Sequence, residues 1–210
     1  MCRRAHDEAN INDGERVEHA ALPAGLYLGA FRIGEGLSLA KYQFKRMRSL
    51  EDYEFMVIEA VVIEKSEGKM RNCPIYIKDP LSVPLFARLA EIQDNDKLFG
   101  FTARTGNNIA DRISGGKAWN HWFRAQRNTF LAQVFSKDER KKIIGWGSGS
   151  KEQLMKKRDM ADRYEFLNWM SYADRLAKLS DRYLEHTQVD PETKLWLEML
   201  QAKVPEVPGA

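Results

Sequence analysis

Hydrophobic positions along the chain fall into helical spacing almost everywhere, with one conspicuous exception. From Val17 to about Ala40, apolar residues recur at Ala21, Leu22, Leu26, Leu28, Phe31, Ile33, Leu37 and Leu39, but Pro23, Gly25, Gly29, Gly34 and Gly36 interrupt them. The pattern predicts two short helices with a tight junction, because proline and glycine disfavour one long helix. The exception is 55–63 (FMVIEAVVI), rich in β-branched residues, and 72–77 (NCPIYI), joined by the polar link EKSEGKMR. This reads as a β-hairpin. Pro80 and Pro84 open a helix running through Leu89 and Ile92, and Thr102 to Ile113 predicts another. His121 to Phe135 carries Phe123, Phe130, Leu131, Val134 and Phe135 on a broad stripe, as a core helix does. A short helix over Lys137 to Ile144, a flexible GSGSK loop after Trp146, an amphipathic helix over Glu165 to His186 and a last helix over Pro191 to Lys203 complete the series.

Composition narrows this picture only a little. The 210 residues are 43% hydrophobic, enough for one main core, expected over 17–190 with a short helix and tail at 191–210. Residues 1–16 are charged and aperiodic and read as a flexible arm. The formal net charge of +3 permits a nucleic-acid partner without demanding one. No apolar run approaches the ~18 residues that cross a bilayer, and the amino terminus has no secretory pattern, so a soluble cytoplasmic protein without a membrane partner is expected. Cys2 and Cys73 are too few for a disulfide framework and are expected as free thiols.

Candidate chemistry lies in five short strings. In LYLGAFRIGEGLSL, Arg32 follows a glycine-containing bend, with Glu35 a ready partner. His121-Trp122-Phe123-Arg124 sets an imidazole and a guanidinium three residues apart, on one helical face, where both can address one phosphate. Taken alone, the first arginine is ordinarily a salt-bridged surface residue, and an isolated His-x-x-Arg is ordinarily accidental. Ile143-Ile144-Gly145-Trp146 offers an indole N–H, although core packing is the commoner fate of tryptophan. Met160-Ala161-Asp162-Arg163-Tyr164 presents one of seven tyrosines, with Tyr172 and Tyr183 as rivals, and the hairpin link presents Lys65 and Lys69.

Together, and in this order, the strings resemble the tyrosine recombinases of the phage-integrase type: the first arginine box, the hairpin lysine, the second box continuing as AQRNTFLAQ, the His-or-Trp position and the nucleophile segment. The chain departs from the pattern between Trp146 and Tyr164, at about twice the family's usual spacing; the surplus includes Lys156, Lys157 and Arg158. The resemblance implies a mainly α domain with a small antiparallel β-sheet (α+β). It also implies a homo-tetramic assembly, a dimer of dimers, on double-stranded DNA. Catalysis would fall to Arg32, Lys65, His121, Arg124, Trp146 and Tyr164, and DNA contacts to Lys69, Arg71, Arg127, Lys156, Lys157 and Arg158. The family's amino-terminal DNA-clamping domain is not expected in this chain.

These residue types suit one reaction. Two guanidinium forks can neutralise the negative charge that grows on a phosphodiester under attack, and they stay protonated at any working pH. Tyrosine, with an ordinary pKa of about 10, must lose its proton as it attacks, which makes His121 the base or relay. A lysine beside arginines loses its proton more readily and can serve the leaving 5′ oxygen, with Lys65 preferred over Lys69. A phosphotyrosine ester conserves the energy of the broken bond, so neither metal nor nucleotide cofactor is expected; the sequence has neither a GxxxxGK[ST] loop nor a two-metal acidic cluster. Three other readings remain: a type IB topoisomerase-like enzyme, a catalytically inactive DNA-binding remnant, and a helical domain with chance matches.

Overall fold

The computed structural model describes residues 16–64, 67–117, 121–144, 161–186 and 190–201. The architecture is mainly helical with a small three-stranded antiparallel sheet, an α+β fold. No helix among the described residues is long and apolar enough to cross a membrane.

Helix α1 (Arg16–Leu28) runs through Pro23 and Gly25 rather than stopping at them. Burial overrides the local penalty: Ala20, Ala21, Leu22, Ala24, Leu26 and Leu28 all turn inward. The helix ends where the chain closes a Schellman turn, Phe31 N–H donating to the Leu26 carbonyl (3.0 Å) and Ala30 N–H to that of Tyr27 (3.1 Å). Ala30, not a glycine, takes the left-handed conformation (φ 51). Gly29 is needed for another reason: a Cβ there would sit 2.1 Å from the Phe31 ring. The tight junction delivers Arg32 directly to the start of α2 (Ile33–Leu37), which stops before Leu39.

The sheet has the order β1-β2-β3, with β1 at Phe44–Arg48, β2 at Glu54–Glu64 and β3 at Glu67–Tyr76. Strand β2 pairs antiparallel with β3 from Phe55↔Tyr76 to Glu64↔Glu67, so the polar link extends the strands rather than forming a long loop. Alternation sends Ile58, Ala60, Cys73 and Ile75 into one hydrophobic cluster and Phe55, Val57 and Tyr76 into another. This explains why apolar residues follow one another from Phe55 to Ile58: both faces of β2 are covered there. Strand β1 was not expected from the sequence, since FKRMR carries little hydrophobic alternation.

On the first face of the sheet lie α1, α2, α3 (Val83–Glu91, entered by a 3-10 turn at Pro80–Ser82) and α4 (Ala103–Ser114), with Leu22, Leu26, Leu85, Phe86 and Ile109 at the core. The Thr102 hydroxyl caps α4 by accepting from Thr105 N–H, and Gly115 ends it at φ 69. On the other face, α6 (Lys137–Ile144) and α7 (Ala161–His186) supply Ile144, Ala173 and Leu176, and α5 (Trp122–Leu131) spans the two clusters, with Phe123 in the first and Leu131 in the second. A final helix, α8 (Pro191–Gln201), packs on α3. Helix α5 is shorter than its apolar stripe suggested, because 132–135 form turns that lead to a capping box at the start of α6. There Ser136 N–H donates to Glu139 Oε2 (2.7 Å) and Glu139 N–H to Ser136 Oγ (3.4 Å).

Glu139 also ties α6 to α7. Arg175 Nη1 donates to Glu139 Oε1 at 2.6 Å, Arg175 Nη2 reaches the Val134 carbonyl, and the guanidinium lies over the Phe135 ring at 4.5 Å. The hydrogen bond from Arg175, assisted by Ser136, holds the Glu139 carboxyl at about 2, below its ordinary 4.5. A carboxyl depressed in the folded state stabilises the fold above its unfolded pKa, and that contribution is lost as pH falls through the folded value. Comparing urea denaturation of wild type and Glu139→Gln, the stability gap is therefore expected to be full above pH 4.5 and to close as pH falls toward 2. A gap independent of pH over that window would show that the clasp is not electrostatic.

Candidate functional site: an arginine cluster around Glu35

The Schellman junction after α1 places Arg32 at the N-cap of α2, and the third residue of that helix, Glu35, folds back on it. Glu35 Oε2 accepts from the Arg32 backbone N–H at 2.8 Å, and Oε1 accepts from Arg32 Nη1 at 2.8 Å. The same carboxylate meets a second guanidinium from 89 residues away, Arg124 Nη1 lying 3.5 Å from Oε2. Arg124 occupies the first turn of α5, its side chain wholly enclosed, whereas the Arg32 side chain is 39% exposed.

A third guanidinium joins them from the sheet. Arg71, opposite Ala60 in the β2–β3 register, donates through Nε to Cys73 Sγ (2.8 Å) and through Nη1 to the Ile144 carbonyl (2.5 Å), and lies over the Phe31 ring at 4.7 Å. Arg124 Nη2 donates to the same Ile144 oxygen, also at 2.5 Å. Ile144 ends α6, where carbonyls lack helical partners and the helix dipole is negative, so two cations cap one helix end.

The electrostatics follow from burial. Desolvation, reinforced by Arg71 and Arg32 and opposed by Glu35, lowers the Arg124 guanidinium from 12.5 to about 10. Desolvation likewise pushes the Cys73 thiol up, against the pull of Arg71. Arg71 Nη2 and Arg124 Nε are buried with no hydrogen-bond partner among the described residues. Glu35 thus answers two guanidiniums, with Arg71 a third cation close by, and the donors left over are themselves buried.

Of the residues expected to act together, Arg32 and Arg124 meet on Glu35, with Arg32 partly exposed and Arg124, 1% exposed, as interior as Arg127. His121 stands half-buried at the N-cap of α5, at the same helix end as Arg124. Tyr164 belongs to the first turn of α7, which begins at Ala161 rather than Glu165, but the position of its side chain lies outside what is described. Lys65, Trp146, Lys156, Lys157 and Arg158 lie outside the described residues, as does the Lys69 side chain.

Two expected DNA contacts are interior instead. Arg71 is committed to Cys73, Ile144 and Phe31, and is 7% exposed. Arg127, 3% exposed, lies between Tyr27 (5.3 Å) and Phe130 (5.1 Å). Burial pushes the neighbouring Tyr27 hydroxyl and Asp79 carboxyl up, and Arg127 opposes both shifts. Arg127 thus joins α5 to α1 across the core, and its guanidinium is not presented to a surface ligand. The reading of the sequence missed the bridging role of Glu35, which it took only as the partner of Arg32, and the Ile144 carbonyl, which no sequence pattern marks.

A scan against protein-family models finds no match for the chain, and a search of curated proteins finds none either.

Removing the Glu35 charge leaves the enclosed Arg124 without its carboxylate. Glu35→Gln is expected to lower unfolding free energy by about 3 kcal/mol, as breaking a buried ion pair does, measured by chemical denaturation at neutral pH. A loss under about 1 kcal/mol, the scale of an exposed pair, would show that Arg124 does not depend on Glu35.

Proposed function

We propose that this chain is the catalytic domain of a tyrosine recombinase of the phage-integrase type, cleaving and rejoining DNA through a 3′-phosphotyrosine intermediate. The observation that carries the reading is the meeting of Arg32 and Arg124 on Glu35, since the two arginines belong to separate motifs and are brought together only by the fold. The α+β architecture and the hairpin of β2 and β3 between the two boxes agree with it.

In this reading the guanidiniums of Arg32 and Arg124 turn from Glu35 to the nonbridging oxygens of the scissile phosphate and neutralise the charge of the pentavalent state. The Tyr164 oxygen attacks phosphorus while its proton passes to His121. The bond to the 5′ oxygen breaks, and Lys65 supplies the proton that oxygen requires. Trp146 donates its indole N–H to the phosphate. Attack by a 5′ hydroxyl of a second strand on the phosphotyrosine reverses these transfers and releases Tyr164, so the strand is resealed without ATP. The working form is a homo-tetramer on paired double-stranded sites, acting on DNA in the cytoplasm of its host.

A second reading has its own support. Arg124 and Arg71 are already engaged with Ile144, Glu35 and Cys73, as residues retained for the fold would be. A DNA-binding remnant would keep these contacts and form no covalent bond.

Duplex oligonucleotides nicked to trap the intermediate separate the two. Wild type is expected to yield a covalent protein–DNA adduct that survives denaturing electrophoresis, and Tyr164→Phe none. Retarded mobility in a native gel with no adduct from wild type would favour the remnant.

A further inference from the structure

Arg71 is the one member of the cluster for which the proposed reaction has no use. Burying it is unfavourable in two ways: a guanidinium leaves water, and it comes to rest near a second one, which it destabilises. A well-packed apolar side chain would ordinarily serve stability as well or better. What an apolar residue could not do is hold the Ile144 carbonyl.

The surroundings of Arg71 fix its guanidinium in three ways. Its backbone lies within the β2–β3 ladder, Nε is directed by Cys73 Sγ, and its plane rests over Phe31, whose ring packs where Gly29 lacks a Cβ. Nη1 then reaches the last carbonyl of α6, the same oxygen on which Arg124 Nη2 rests. Arg124 is consequently seated on two acceptors. One is Glu35, which also holds Arg32, and the other is the Ile144 carbonyl, which Arg71 ties to the sheet.

We propose that Arg71 is a positioning residue that aims Arg124: by gripping the Ile144 carbonyl it keeps the second acceptor of Arg124 in place when the first is exchanged for the phosphate. The inference rests on the recombinase reading. Within it, Arg71 touches neither DNA nor the reacting atoms; it acts through the Ile144 oxygen. Lysine cannot replace it, because one ammonium cannot donate toward Cys73, reach Ile144 and lie over Phe31 at once.

The test is single-turnover adduct formation on the nicked trapping duplex by wild type, Arg71→Lys and Cys73→Ala, with DNA affinity measured alongside. At saturating DNA, Arg71→Lys is expected to lower the rate constant about tenfold or more, the scale of one lost charge-assisted hydrogen bond, and to leave DNA affinity within about twofold. A purely structural defect would instead lower the amplitude, through fewer folded molecules, and leave the rate constant of the remainder unchanged. That result with a normal wild-type adduct would overturn the assignment and spare the recombinase reading. Should Arg71→Lys fail to fold, Cys73→Ala carries the test, since it frees Nε while keeping the guanidinium. A rate constant about threefold lower supports the positioning role, and an unchanged one overturns it. Absence of any wild-type adduct withdraws the recombinase reading and the role of Arg71 with it.

Discussion

Enclosing a cation among apolar side chains is costly unless its donors are used and its charge is answered, and the centre of this molecule meets that demand for two enclosed arginines, Arg124 and Arg71, with a single carboxylate that also holds Arg32. Glu35 answers Arg32 and Arg124 together. Arg71 has no carboxylate in contact among the described residues and is held by a thiol sulfur, a helix-end carbonyl and an aromatic face. Each of these comes from a different element, so the cluster draws together the sheet, the α1–α2 junction and the end of α6. The Schellman turn with Ala30 at positive φ, itself a mild strain, is held in place because Phe31 and Arg32 lie immediately beyond it.

One turn along α5, Arg127 provides the contrast that gives the cluster its meaning. It too is buried, but it lies between two rings beside Asp79, with no second guanidinium among the influences on Tyr27 or Asp79. A single cation enclosed in this way is what a structural tie between helices requires. Around Glu35 the positive charges outnumber the negative one among the described residues, and burial, with Arg71 and Arg32 nearby, brings Arg124 down to about 10. An imbalance of that kind is unfavourable, because buried like charges raise one another's energy. Both buried arginines of α5 leave one donor without a partner among the described residues, Arg124 Nε and Arg127 Nη1, and they differ in the charge around them.

Periodicity in the sequence located the helices because most of them present one apolar stripe to the core, and it located the hairpin because both faces of β2 are covered from Phe55 to Ile58. It failed at β1 for a definite reason. Lys45 pairs with Glu59 at 2.7 Å and Arg46 with Glu54 at 2.9 Å, so this edge strand is held by backbone pairing and cross-strand charge, with only Phe44 and Met47 packed against the core. It failed likewise for Arg71 and Arg127. Arginine is ordinarily exposed, and what encloses these two is contributed by residues distant in sequence, among them Ile144 for the one and Tyr27 for the other. Of the candidate site, the pairing of Arg32 with Glu35 was legible because it is local, and the arrival of Arg124 on the same carboxylate was not, because it is a property of the assembled layers.

Those layers are linked through α6, a short helix tied at both ends. At its start, Glu139 is bound to Arg175 of α7, the helix whose first turn contains Tyr164, about three turns before that arginine. At its end, the Ile144 carbonyl is gripped by Arg71 and Arg124. A displacement of α7 therefore bears on the start of α6, and a displacement of Arg124 bears on its end. Eight residues are too few for a helix to be stable in isolation, so α6 owes its order to these attachments rather than to its own propensity. The helix bearing the proposed nucleophile and the arginine proposed to receive the phosphate are in this way coupled through one element, and neither can be repositioned without a change in the contacts that hold it.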